Sequence, residues 1–172
     1  MSVATAHAGG HFQFGPTYNS TQFVRAAYEG EINGIYEIDV EKAEAVNGQL
    51  AGKIAAITAD GKVGLAGADA EGAIGLIRED LKDMVNASGN ASFYFRGGEY
   101  HIAESRLGEP IENFTLGKYA TTDANGALVH TDDKTKAIAT VVSNGEFRLG
   151  NMFEWAGEAA NGGKFLGIIL HI

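Results

Sequence analysis

Gly157 to Lys164, GEAANGGK, comes nearest in this sequence to a loop that holds phosphate. A phosphate-binding loop separates two glycines by four residues, follows directly with lysine, and then supplies a Ser or Thr hydroxyl for magnesium. Here an extra glycine precedes Lys164, and Phe165 stands where the hydroxyl is needed. GKVGLAG, at Gly61 to Gly67, lacks the G-x-G-x-x-G spacing of a dinucleotide loop. Asp123-Ala124-Asn125-Gly126 has the opening of a calcium loop, but in that motif the glycine comes later and a bidentate Glu closes the ring. A tight turn accounts for it. No Gly-x-Ser-x-Gly elbow is present. Of the five histidines, only His7 and His11 are close, in HAGGH, where flanking glycines argue against a preformed metal site. His101 and His171 lie in apolar runs and read as core or edge residues. Glu79-Asp80 and Asp132-Asp133 are adjacent carboxylates of the solvated kind. The expectation is a protein that is not an enzyme, with no catalytic, cofactor-binding or metal-ligating residues.

Bulk composition narrows the partners. The 172 residues carry 13 basic and 22 acidic side chains, a net charge of −9, and no cysteine. Phosphate backbones are bound by Lys and Arg clusters, and none occurs here, so nucleic acid is not an expected partner. No run approaches the roughly 18 apolar residues of a membrane span, and an acidic surface avoids anionic membranes. The N-terminus has no charged-then-apolar leader pattern. A soluble protein made in the cytoplasm is expected, without disulfides.

The elements that would position any site are set by turns. Glycine, with 24 residues, is about double its usual ~7% share. Asn-Gly or Asp-Gly stands at positions 33–34, 47–48, 60–61, 125–126, 144–145 and 161–162, and Gly97-Gly98 adds another pair. Such pairs favour the type I′ hairpin turn, whose twist matches paired strands, although some will be loops. Short runs between frequent turns predict an all-β fold of small barrel or sandwich units. FVRAAYEGEI before IYEIDV, KIAAIT before KVGLA, GKYATT before ALVHT, and SFYF before EYHI read as strand pairs. Ala73–Ile77 reads as a buried strand followed by a short helix through REDLKDMV, for which a charged loop is the alternative. Residues 1–20, rich in Gly, Ala, His, Ser and Thr, have too little apolar area to fold alone and read as an extended N-terminal arm.

One unit occurs twice. LAGKIAAITADGKVGLAGADAEGAIGLI begins at Leu50, and LGKYATTDANGALVHTDDKTKAIATVV begins at Leu116. Each runs Gly-Lys, strand, tight turn, strand, acidic loop, closing strand. A duplication is one reading; convergence on a common hairpin pattern is the other. The corresponding division is an arm at 1–20, a first β unit at 21–103 and a second at 104–172, the two units being able to pack as one domain.

Two segments read as contact surfaces: Phe12, Phe14 and Tyr18 in the arm, and Met152, Phe153 and Trp155 in NMFEWAG. Trp and Met are favoured at interface cores. The LGKYATTDANGALVH…KAIATVVSNGEF stretch, with GNMFEWAGEAANGGKFLGIILHI at the end of the chain, resembles tailed-phage structural proteins, and among them the lambda-type head decoration (cement) family. The resemblance covers the region from Gly52 onward and describes an architecture more than a signature. It implies a virion protein on the capsid surface, binding the major capsid protein and stabilising the shell. The resemblance allows a homo-oligomer, trimer or dimer; the apparently doubled length puts the family's trimer in doubt, since a monomer or dimer could cover the same capsid site. A tail-tube or head-fibre component, or a small-molecule or glycan-binding β module, are the alternatives.

Overall fold

The computed structural model describes residues 23–87, 89–145 and 164–172. Their strands are β1 (Val24–Asn33), β2 (Ile54–Ile57), β3 (Val63–Leu65), β4 (Ala73–Ile77), β5 (Phe93–Ala103), β6 (Tyr119–Thr122), β7 (Leu128–Thr131), β8 (Ala139–Gly145) and β9 (Phe165–Leu170). Two short helices, α1 (Val40–Glu44) and α2 (Leu81–Ala87), interrupt them. The fold is all-β, as the turn frequency predicts. The strands form one curled antiparallel sheet in the order β3-β2-β4-β5-β9-β8-β6-β7, with β1 added to β5.

β5 organises everything else. β1 accompanies it from Asn33 opposite Phe93 to Val24 opposite Ile102. Its other edge is shared: β4 pairs with Phe93 and Tyr94, and β9 pairs with Glu99 to Ala103. Between the two, Arg96, Gly97 and Gly98 have φ of 61°, 85° and 103°. Gly97-Gly98 is therefore a bend inside one long strand, where the sequence suggests a hairpin between SFYF and EYHI. The Tyr100 hydroxyl holds the bend, accepting from Gly30 N–H at 2.8 Å and donating to Gly97 C=O at 3.1 Å. A Cβ on Gly30 would sit 2.4 Å from that carbonyl oxygen, so the β1–β5 crossing requires glycine there.

The repeated unit is physically repeated. Gly52 N–H donates to Ile77 C=O and Ile77 N–H to Lys53 C=O; Gly117, Val141 and Lys118 make the same pair of bonds. In each copy a hairpin (β2–β3, β6–β7) leads through a 3-10 turn (Ala68–Ala70, Lys134–Lys136) to a strand that pairs with the hairpin's first strand. The first copy has one residue more, within its closing strand. That residue is Ile74, taken up as a bulge where Ala55 faces Gly75 and Ala56 faces Ala73.

Both hairpin turns differ from the expected two-residue type. Only Gly61 (φ 77°) and Gly126 (φ 70°) are left-handed, and the residues before them are not. Thr58 N–H reaches Lys62 C=O at 2.8 Å, and Asp123 N–H reaches Ala127 C=O at 2.9 Å. These are three-residue loops ending in a left-handed glycine. Local side-chain bonds favour them: Asp123 Oδ1 accepts from Asn125 and Ala127 N–H at 2.8 and 2.9 Å.

Other turn pairs serve differently. Asn47 and Gly48 (φ 56° and 68°) end α1, with Gly48 N–H on Ala43 C=O at 2.9 Å. Asn33-Gly34 ends β1 without a hairpin, because β1 pairs with β5 and IYEIDV contributes only isolated bridges at Glu37 and Ile38. Its end becomes α1, which the sequence reading missed; Asp39 caps it by accepting from Lys42 N–H at 3.1 Å. Asn144-Gly145 lies within β8. Asn161-Gly162 is outside the described residues. The strand to Ile77 and the following helix are found as read.

Burial shows how the copies are placed. The main core takes Ile54 and Leu76 from the first copy and Ala120, Leu128 and Val141 from the second, with Tyr94, Tyr100, Ile102, Leu166 and Ile168 between them. Equivalent positions face opposite ways. Ala55, Val63 and Ile77, the counterparts of Ala120, Leu128 and Val141, belong to a second core closed by Ile38, Ala43 and Met84. Tyr119 and Thr140, the counterparts of Ile54 and Leu76, are only half-buried. The cause is β9, which separates β8 from β5 whereas β4 lies directly on it. One interposed antiparallel strand reverses the second copy's direction, which turns its other face inward.

Candidate functional site

The contact residues suggested by sequence, Phe12, Phe14, Tyr18, Met152, Phe153 and Trp155, lie outside the described residues. The described chain does fix where their segments join the sheet. Residue 23 follows the arm, and Phe23 C=O accepts from Ala103 N–H at 2.7 Å. Ala103 pairs with Phe165, and Phe165 pairs with Gly145 on its other side. Gly145 and Lys164 are the described residues that flank the segment carrying Trp155. Both segments therefore meet the sheet at one end. From the β1 side to β8 is three strand spacings, about 14 Å.

This end is firmly built. Phe23 packs against the main core, and the Arg106 guanidinium lies 3.7 Å from its ring centroid. Arg106 Nη2 donates to Asp80 Oδ2 at 2.8 Å, with both side chains more than nine-tenths buried. Asp80 Oδ1 accepts from Leu50 and Ala51 N–H, each at 3.0 Å. A buried carboxylate needs several such donors to remain charged. Asp80 was expected to be solvated with Glu79. It is instead the buried anchor joining the loop before β2, the start of α2 and the turn after β5. The sequence signal available was position: Asp80 directly precedes α2 and follows a buried strand, where acidic residues serve caps and anchors. Gly52 completes the packing, since a Cβ there would lie 2.9 Å from Ile102 Cγ2 and 3.2 Å from Arg106 Cβ.

Around the loop base, Lys164 Nζ contacts Glu112 Oε1 at 2.6 Å. The hydrogen bond from Lys164 holds the Glu112 carboxyl below the usual carboxylate range. Asn144 Nδ2 donates to Phe114 C=O at 2.6 Å, tying β8 to the segment before β6. Lys164, whose surroundings in sequence resemble a phosphate loop, is thus engaged with a carboxylate.

The described histidines are placed separately. His101 is buried with Nε2 3.4 Å from Glu99 Oε1; His130 Nε2 is 3.7 Å from Asp132 Oδ1; His171 Nε2 is 2.8 Å from Thr140 Oγ1. His7 and His11 lie outside the described residues. Among the described residues no group of three or more His, Cys, Asp or Glu is arranged to hold a metal ion, and no helix is long and apolar enough to cross a membrane. Lys53, half-buried near Arg106 and Asp123, has its pKa lowered, chiefly by burial.

The two copies also interlock with each other. Ile54 N–H donates to Gly126 C=O at 2.7 Å, so the second hairpin's tip docks on the first copy. Thr122 Oγ1 donates to Gly67 C=O at 2.5 Å and accepts from Ala70 N–H at 2.8 Å. Lys136 Nζ meets Asp69 Oδ2 at 2.8 Å, linking the two 3-10 turns, and that hydrogen bond raises the lysine's pKa. The result is a cross-braced body, and the described residues that flank both candidate contact segments lie at one end of its sheet. Compared with known proteins, the chain matches no family model and no curated protein.

Proposed function

We propose that this chain is a virion structural protein of a tailed phage, which binds the outer surface of the capsid and stabilises it. One observation carries the proposal. The two segments with concentrated aromatic residues join the sheet about 14 Å apart at the same end, over the buried Asp80–Arg106 anchor. A cross-braced body presenting two segments from one end suits a cement role. Each segment grips a neighbouring capsid subunit, and separating the subunits then breaks both grips. Two linked weak contacts give an avidity that neither has alone.

The partner in this proposal is the major capsid protein, and the residues offered to it are Phe12, Phe14, Tyr18, Met152, Phe153 and Trp155. The test is binding of the purified protein to expanded and immature shells, with deletion of residues before Thr21 and with Phe153→Ala plus Trp155→Ala. Saturable binding to expanded shells, weakened by each change, is expected. Undiminished binding after the deletion removes the arm. Polymerisation into tubes, or sugar binding with no affinity for shells, replaces the proposal with a tail-tube or glycan-binding role.

A further inference from the structure

Two consecutive residues with side chains, Asp69 and Ala70, have left-handed backbones, with φ of 57° and 63°. Among the described residues no other such pair occurs, since Asn47 and Arg96, the remaining non-glycine cases, stand singly. A Cβ makes this conformation unfavourable, less so for Asp than for Ala. The equivalent turn of the second copy, Lys134–Lys136, has no positive φ. One unit therefore takes a strained turn and its repeat a relaxed one.

Capping explains the difference. Counting from the equivalent glycines Gly61 and Gly126, Ala68 stands where the second copy has Asp133, and Ala70 where it has Thr135. Thr135 N–H donates to Asp133 Oδ1 at 2.9 Å, within its own turn. Ala68 has no side-chain oxygen, and Ala70 N–H donates instead to Thr122 Oγ1 of the second copy at 2.8 Å. That hydroxyl also donates to Gly67 C=O, and Lys136 holds Asp69 Oδ2. The hold runs one way only, because the first-copy counterpart of Thr122 is Ile57, which has no hydroxyl.

We propose that the turn at 67–72 is a two-state clasp, left-handed while Thr122 holds it and right-handed, like its repeat, once the copies part. Residues kept off their preferred backbone persist only where their surroundings over-determine them. Here those surroundings belong to the other copy. Release recovers the strain in Asp69 and Ala70, so the clasp opens more readily than its bonds alone would set. The turn thereby couples its own conformation to the docking of the second copy. This device belongs to the body of the protein and stands apart from capsid binding.

The test is the φ of residue 70, read by NMR on the full chain, together with urea unfolding. The parent should show positive φ and Thr122→Val negative φ, while Thr122→Ser, which keeps the hydroxyl, should match the parent. Thr122→Val should cost more stability in an Ala70→Gly background, where no strain is left to recover. It should cost less in an Ala68→Asp background, where the turn gains its own cap. Each difference should be roughly threefold or more in the unfolding constant. Positive φ retained in Thr122→Val overturns the proposal, because the turn then keeps its shape unaided. Equal costs in the three backgrounds also overturn it, since a plain lost hydrogen bond adds independently. Should Thr122→Val alone fail to fold, its combination with Ala68→Asp should fold with negative φ at residue 70. Failure of that combination to fold likewise overturns the proposal.

Discussion

Equivalent glycines in the two copies offer a controlled test of how the copies are assembled. Gly61 and Gly126 close the same turn with nearly the same φ, 77° and 70°. An alanine at either position adopts a left-handed backbone, which costs about 1–2 kcal/mol. Nothing lies within 4 Å of a Cβ built on Gly61. On Gly126 the Cβ falls 2.9 Å from Ile54 C=O, 3.3 Å from Leu65 Cβ and 3.4 Å from Ala66 N. Two of those neighbours are backbone atoms of a paired strand region, so relief requires moving the docked tip. That adds overpacking of about 1–3 kcal/mol and weakens the 2.7 Å bond from Ile54 N–H to Gly126 C=O, worth about 1 kcal/mol. Gly126→Ala should therefore exceed Gly61→Ala by about 2–3 kcal/mol, a difference of roughly 5–10 °C in Tm for a chain of this size. Gly52 and Gly117 supply the crossed control. They too are equivalent, with φ of 90° and 75°, but here the first-copy glycine is packed and the second-copy glycine has nothing within 4 Å. Thermal and urea unfolding of the four alanine variants should give large losses at Gly52 and Gly126 and small ones at Gly61 and Gly117. Equal losses within each pair, to about 0.5 kcal/mol, would refute the interlocked arrangement. Losses that followed the copy instead of the packing would point to two independently stable units.

Two further outcomes test the anchor beneath the candidate site. Asp80→Asn leaves the Arg106 guanidinium buried without its counter-charge, and removing one partner of such a pair costs about 3–5 kcal/mol; urea unfolding of Asp80→Asn, Arg106→Met and the double variant should show the double to be less destabilised than the sum. Lys53, its pKa held below the usual 10.5 mainly by burial, binds fewer protons folded than unfolded in the window between the two values. Stability therefore rises with pH through that window and the gain is complete above 10.5. Relative to Lys53→Met, the parent protein should gain stability as pH rises through that window toward 10.5, and a flat difference would contradict it.

The candidate site was only partly legible in the sequence. Aromatic clusters are visible as composition, whereas their common point of attachment is not. It depends on Phe23, Ala103, Phe165 and Gly145, which are far apart in the chain and meet only through strand pairing. Asp80 is similar. Its charge argues for solvent, and only the convergence of Leu50 N–H, Ala51 N–H and Arg106 makes burial tolerable.

By itself the sequence determined what is local: the all-β class, the positions of the turns at Gly61 and Gly126 though not their type, the strand to Ile77 with its helix, and a unit stated twice. Those features rest on bonds spanning a few residues, such as Asp123 to Ala127, which form from nearby groups alone. Tertiary structure decided the rest. Gly97-Gly98 satisfies the chemistry of a hairpin equally well, and it became a bend because β1 pairs along the whole of β5. Which face of each copy points inward was also undetermined, since KIAAIT and KAIATVV are apolar on both sides. Insertion of β9 between β5 and β8 settled that, by reversing one copy and so exchanging its buried and open faces.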